Sequence, residues 1–231
     1  MQPAAVLKDV QCYLFDLDNT LIETHIDFAE MKRKTLSLGK EWGVDTSGME
    51  TLDILAIVEE VTAILRSITM SGADERFHKI AYEMLAAQEE AQCTDPTHLP
   101  GATELLNALN QRGFPIGIVT RNCRLVADRL LAEGELACDV LLAREDVKIT
   151  KPHPDHLLDA LHVLHIKFPE GRLQAANCLM VGDNVMDVQA GRAAKMRTVG
   201  LLRNQSAEAF ADCPPDILLK DIAELWSILN L

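Results

Sequence analysis

The sequence predicts an α/β protein, a doubly wound parallel sheet with an α-helical block inserted near its start. Three observations carry this. From residue 102 onward, short apolar runs alternate with helix-length stretches, the pattern of a parallel sheet covered on both faces. Between residues 23 and 93 the periodicity is helical, with no convincing strand. Acidic, hydroxyl and basic residues come directly after the apolar runs, and such sheets gather functional groups at the carboxyl ends of their strands.

The first element spans residues 10–15, an apolar run of strand length that ends in Asp16-Leu17-Asp18-Asn19-Thr20. The stretch 28–42 reads as a helix closed by Gly43. Ile54, Leu55, Ile57, Val58, Val61, Ile64, Leu65 and Ile68 recur at helical spacing, as do Phe77, Ile80, Ala81, Met84 and Leu85. Thr94-Asp95-Pro96 and Leu99-Pro100-Gly101 are loop punctuation that closes the block. The predicted organisation is a core of residues 1–22 and 94–231 with a helical cap of residues 23–93. A helix over 102–112 stops at Gly113, and a helix over 123–133 stops at Gly134. Further strands are expected at 115–119, 140–142, 178–181, 198–201 and 217–219. Further helices are expected at 154–164, 187–194 and 222–229.

Composition narrows the function. The chain has 231 residues, of which 48% are apolar and only 4% aromatic, so aliphatic side chains must fill the core. A net charge of -13 would repel a phosphate backbone, which argues against nucleic acid as a partner. No apolar run reaches the length of a membrane span, and the N-terminus lacks a signal pattern. The six cysteines show no Cys-x-x-Cys spacing and read as small buried hydrophobes of a reducing, cytoplasmic compartment.

The chemistry sits at the strand ends. Asp16 and Asp18 are two positions apart. On a strand they point the same way, so one could attack while the other moves protons. A strand followed by an Asp/Asn/Thr turn fits the same residues. Thr120-Arg121-Asn122 ends the second core strand and could make an anion-binding corner with the amides of a helix start, or an ordinary cap. Lys151, held before Pro152, could present a point charge to a phosphate, or sit solvated in a loop. Gly182-Asp183 with Asp187 adds two acids to the mouth of the first pair. Converging carboxylates repel unless a cation neutralises them, and an oxygen-only donor set suits Mg²⁺. His153, His156, Asp159, His162 and His165 form a further polar series. Its spacing of three drifts around a helix, so a solvated face is expected and no metal role.

Taken in this order, the pieces resemble the haloacid dehalogenase superfamily of phosphohydrolases. The resemblance rests on Asp16-Leu17-Asp18-Asn19-Thr20, Thr120, Lys151-Pro152, and Gly182-Asp183 with Asp187, and it covers nearly the whole chain. Arg144-Glu145-Asp146-Val147 and Lys151-Pro152-His153-Pro154-Asp155 look like its phosphoglycolate-phosphatase-like group. The resemblance implies a Rossmann-like core and a phosphatase acting on a small phosphorylated metabolite. It makes Asp16 the nucleophile and Asp18 the general acid and base. Thr120, Arg121, Asn122 and Lys151 would hold the phosphoryl group. Asp16, the Asp18 carbonyl and Asp183 would bind Mg²⁺, with Asp187 in support. An acid at Asp18 favours phosphoryl transfer over carbon–halogen cleavage. A phosphomutase, a pyrophosphatase, and a non-catalytic binding protein on the same fold remain alternatives at this point. The cap is expected to choose the substrate, with His25 and Lys32 as first candidates.

Overall fold

The structure is a computed structural model and describes residues 3–68, 72–171, 173–203 and 205–229. In chain order the elements begin with α1 (Pro3–Leu7), β1 (Cys12–Phe15), β2 (Ile22–Glu23), α2 (Phe28–Glu41), α3 (Ile54–Ile68), α4 (Ala73–Gln92) and β3 (Thr97–His98). They continue with α5 (Ala102–Gln111), β4 (Ile116–Val119), α6 (Arg124–Glu133), β5 (Val140–Leu142), α7 (Asp155–Lys167) and β6 (Cys178–Gly182). The last are α8 (Val185–Ala193), β7 (Arg197–Leu201), β8 (Ile217–Leu219) and α9 (Ile222–Leu229). The parallel sheet expected from the sequence is present, in the order β5-β4-β1-β6-β7-β8.

The order places β1 at the centre, with Phe15 beside Ile118 of β4 and Val181 of β6. From β1 the chain moves out to β4 on one side and to β6 on the other. Such a reversal opens a crevice at the carboxyl ends of the strands. All residues of β1, β4 and β6 are buried, which explains their unbroken apolar runs. Cys12 and Leu14 join a cluster with Leu157, Ala160 and Leu164 of α7 and Ala190 of α8. Tyr13 and Phe15 therefore point to the other face, and Tyr13 meets Phe114 edge to face at 5.4 Å.

The chain divides into two compact units, Met1–Thr24 with Asp95–Leu231, and His25–Thr94. The second unit holds α2, α3 and α4. Leu55, Ile57, Val58, Val61 and Leu65 of α3 are buried, as are Phe77, Ala81 and Leu85 of α4. Ile68 and Ile80, which share the predicted apolar spacing, are exposed instead. The stripe is wider than the surface its neighbours cover. Helix α2 approaches closely at Gly39, where a Cβ would come within 2.7 Å of the Thr46 methyl.

The short helix α1 and a two-stranded ribbon escape the sequence reading. In the ribbon β2 and β3 pair antiparallel, Ile22 with His98 and Glu23 with Thr97. Two-residue strands carry no periodicity to read. No helix among the described residues is long and apolar enough to cross a membrane.

Candidate active site

β1 delivers the first acid. Asp16 continues the ladder by donating its N–H to Val181 O at 2.9 Å. The chain then turns sharply, with the N–H groups of Leu21 and Ile22 both donating to Leu17 O at 3.0 and 3.1 Å. Asn19 holds the turn at φ 54°, a left-handed conformation that Asn tolerates well. The reversal brings Thr24 back, and its hydroxyl donates to Asp18 Oδ1 at 2.8 Å. Asp18 Oδ2 accepts from Asn122 Nδ2 at 2.7 Å and from Thr120 Oγ1 at 3.4 Å. Burial pushes Asp18 above the usual carboxylate range, opposed by these hydrogen bonds and by Lys151.

Lys151 is not the solvated loop lysine its sequence context allowed. It is 2% exposed, and its ammonium donates to Asp16 Oδ1 at 2.6 Å and to Val119 O at 2.8 Å. It also pairs with Asp187 Oδ1 at 2.7 Å. An ammonium has three protons, and these three acceptors use them all. Lys151 is thus a fixed charge that orients Asp16, with no proton left over for a phosphate oxygen in this arrangement. Burial works against its charge, but Asp16 and Asp187 outweigh burial and hold it above the usual lysine range. The Lys151-Pro152 peptide is cis.

β6 delivers the second pair of acids. Asp183 accepts from the Thr20 hydroxyl at 3.4 Å, and its carbonyl accepts from Gln205 Nε2 at 3.1 Å. The helix cap is Asn184, whose Oδ1 accepts from the Met186 N–H at 3.0 Å. Asp187 sits inside the first turn, and its Oδ2 accepts the Asn184 N–H at 3.0 Å. Its other oxygen holds Lys151, so Asp187 supports the site more than it faces it. Gly182 makes this possible, because a Cβ there would lie 2.1 Å from Asp187 Oδ2.

The four carboxylates crowd one place. Oxygens of Asp16, Asp183 and Asp187 lie within 4.8 Å of one another. Burial first, then Asp187 and Asp18, raise Asp16 to about 7 against the pull of Lys151. Burial and the same neighbours, Asp16 foremost, push Asp183 up to about 8. Acids so destabilised as anions fit a site made for a divalent cation, which would restore their charged form. All the donors offered are oxygens, as a hard cation requires.

At the Thr120 corner, Thr120 N–H donates to Leu142 O at 3.0 Å, Asn122 N–H to Thr120 Oγ1 at 3.1 Å, and Arg124 N–H to Glu145 at 2.9 Å. These three amides are engaged within the protein. Arg144, 3% exposed, braces the loop through Arg121 O at 3.1 Å. The Arg121 guanidinium lies 2.8 Å from Met186 Sδ.

Among the histidines and their acid, Asp159, His162 and His165 are exposed as expected. His156 is not: it is fully buried, on the same face as Leu157, Ala160 and Leu164. The apolar period, traced back by four from Ala160, identifies it, whereas the polar spacing points away. Burial first, then the charge of Lys151, lowers His156 to about 3. Unfolded, it would take up a proton near pH ~6.5. Between about 6.5 and 3 the unfolded state binds more protons, so stability falls as pH falls, by about 1.4 kcal/mol per unit from this group. His156→Gln should flatten the acid side of a plot of Tm against pH. Parallel curves for the two proteins would count against it.

Thr24 and Gln205 are site-shaping residues that sequence reasoning did not single out, and Arg144 and His156 are ones it named for other reasons, in a family-like stretch and in a polar series. Comparison with known proteins now adds a family. A profile of haloacid dehalogenase-like hydrolases matches residues 10–195. The chain is 30% identical over 217 residues to validoxylamine A 7'-phosphate phosphatase of Streptomyces hygroscopicus subsp. limoneus, covering 92% of this chain and 94% of that one. It is 30% identical over 196 residues to the bifunctional riboflavin kinase/FMN phosphatase of Arabidopsis thaliana. That match covers 82% of this chain but only 48% of the relative, so the chain spans about half of the bifunctional protein. A solved β-phosphoglucomutase of Clostridium difficile shares the fold at a TM-score of 0.62 and 19% identity, covering 96% of this chain and 97% of that one. Family profile, relatives and sheet agree that the chain belongs to the haloacid dehalogenase-like hydrolases.

Proposed function

We propose that the chain is a Mg²⁺-dependent phosphatase that hydrolyses small phosphate monoesters through an aspartyl phosphate on Asp16. The observation that carries this is the pairing of two differently held acids at the end of the central strand. Asp16 is pinned by an ammonium at 2.6 Å, while Asp18 is held by neutral donors, Thr24 and Asn122. The ammonium favours an anion ready to attack. Burial, which outweighs the pull of those donors, favours an acid at Asp18 that can carry a proton.

In the first step an Asp16 oxygen bonds to phosphorus as the bond to the ester oxygen breaks. Asp18 gives its proton to the departing oxygen, which leaves as an alcohol. In the second step Asp18 takes a proton from water as that water attacks phosphorus. The bond to Asp16 breaks, releasing inorganic phosphate and the free carboxylate. Lys151 keeps Asp16 in place through both steps. Thr120, Arg121 and Asn122 line the phosphoryl site from the β4 side. Mg²⁺ held by Asp16, Asp183 and the Asp18 carbonyl would supply charge neutralisation for the phosphoryl oxygens. The phosphatase names of the two relatives support hydrolysis as the outcome.

Phosphate release from an aryl phosphate should stop after exhaustive chelation and return with added Mg²⁺. Full activity in the metal-free protein would overturn the metal assignment. A panel of phosphoglycolate, sugar phosphates, FMN and pyrophosphate, read by phosphate release and by product isomerisation, separates phosphatase from mutase and pyrophosphatase.

A further inference from the structure

His156 is, among the described residues, a buried imidazole at this site that the proposed reaction does not use. Its bonding pattern gives it work. Nδ1 accepts the Lys151 backbone N–H at 3.3 Å. The proton of the neutral ring must then lie on Nε2, which donates to Leu142 O at 3.2 Å. The same carbonyl accepts the Thr120 N–H at 3.0 Å. One ring therefore ties the backbone of Lys151 to the end of β5, and through Leu142 to Thr120.

The loop creates the need for such a tie. Residues 147–154 contain Pro152 and Pro154, which donate no backbone hydrogen bond. Lys151 reaches Asp16 through a flexible four-carbon stem, which places its charge reliably only if its Cα is fixed. The His153 N–H stays within the loop, on Thr150 O at 3.0 Å, whereas the Lys151 amide is held from outside it, by His156. A protonated ring would lose the Nδ1 acceptor. Burial and the facing charges of Lys151 and Arg121 keep the ring neutral.

We propose that His156 is a positioning residue, which clamps the Lys151 backbone to β5 so that the ammonium stays on Asp16 during phosphoryl transfer. The proposal rests on the phosphatase reading for its kinetic consequence, although the clamp itself does not.

The test compares wild type, His156→Phe, His156→Gln, Lys151→Ala and the double variant His156→Phe/Lys151→Ala, each first checked for folding by its melting curve. With an aryl phosphate and Mg²⁺, His156→Phe should lower kcat by about 10²-fold, the cost of a small misplacement, with a much smaller change in KM. His156→Gln, which keeps a donor and an acceptor, should recover part of the loss. In the Lys151→Ala background, His156→Phe should cost nothing further. A folded His156→Phe protein with wild-type kcat, or equal losses in both backgrounds, would overturn the proposal. Hydrogen exchange at the Lys151 amide reads the clamp without turnover. The amide should be protected in wild type and exchange faster in His156→Phe, or in His156→Leu, which also lacks an acceptor, if the Phe variant does not fold. Unchanged protection would overturn the clamp even in an active enzyme. Absence of phosphate release from wild type, with the exchange difference intact, would instead strike the phosphatase reading.

Discussion

Asp16→Asn should abolish turnover and leave the protein folded. The substitution keeps the shape of the side chain but removes the anion proposed to attack phosphorus. Uncatalysed hydrolysis of phosphate monoesters is among the slowest known, with enzymatic accelerations approaching ~10²¹-fold. In the proposed mechanism this acceleration runs through the covalent adduct, so losing its nucleophile should cost on the order of 10⁶-fold in kcat, as nucleophile removal does in other covalent enzymes. Folding should not suffer in proportion. Asp16 is one of four carboxylates gathered around Lys151, and burial and its acidic neighbours already disfavour its charge. Removing that charge relieves repulsion while an amide oxygen can still accept from Lys151. The expected result is a Tm at or above wild type together with near-total loss of phosphate release. Functional sites commonly trade stability for activity in this way. Near wild-type kcat in the Asn variant would rule out an aspartyl phosphate on Asp16.

Some of this site was legible in the sequence because strands with two buried faces announce themselves. The runs ending at Phe15, Val119 and Gly182 are apolar throughout and of strand length, so the residue after each is placed at once on the crevice. That is why Asp16, Thr120 and Asp183 could be named together. Thr24 could not be, because its bond to Asp18 depends on a turn held by a left-handed Asn19 and on the β2–β3 ribbon. No composition or period encodes such a turn. His156 was legible in principle, since it lies four residues before Ala160 on the apolar stripe of α7. A series of polar residues at spacing three concealed it. Lys151 was found by its motif, but its saturation by three acceptors was not. Sequence gives a residue's place along the chain, whereas the number of its protons already engaged is a property of the packed site.

Asp18→Asn should divide substrates by their leaving groups. Asp18 is proposed to lend a proton to the ester oxygen and to recover one from water. General acid–base catalysis contributes about 10²–10⁴-fold, and the Asn variant should lose that on an alkyl phosphate, whose alkoxide leaves badly without a proton. An activated aryl phosphate expels a stable phenoxide and needs little protonation. Its first step should therefore lose far less, leaving the second step slow because no base activates the water. The distinguishing signature is a burst: the Asn variant should release about one equivalent of phenol quickly, then turn over slowly as the aspartyl phosphate waits for hydrolysis. The neutral donors around Asp18 make the variant a fair test. Thr24 can still donate to the amide oxygen, and Asn122 can turn its own amide to accept, so the side chain should stay where the carboxylate was. Equal proportional losses on alkyl and aryl phosphates, with no burst, would remove Asp18 from proton transfer and leave it a structural acid held by Thr24 and Asn122.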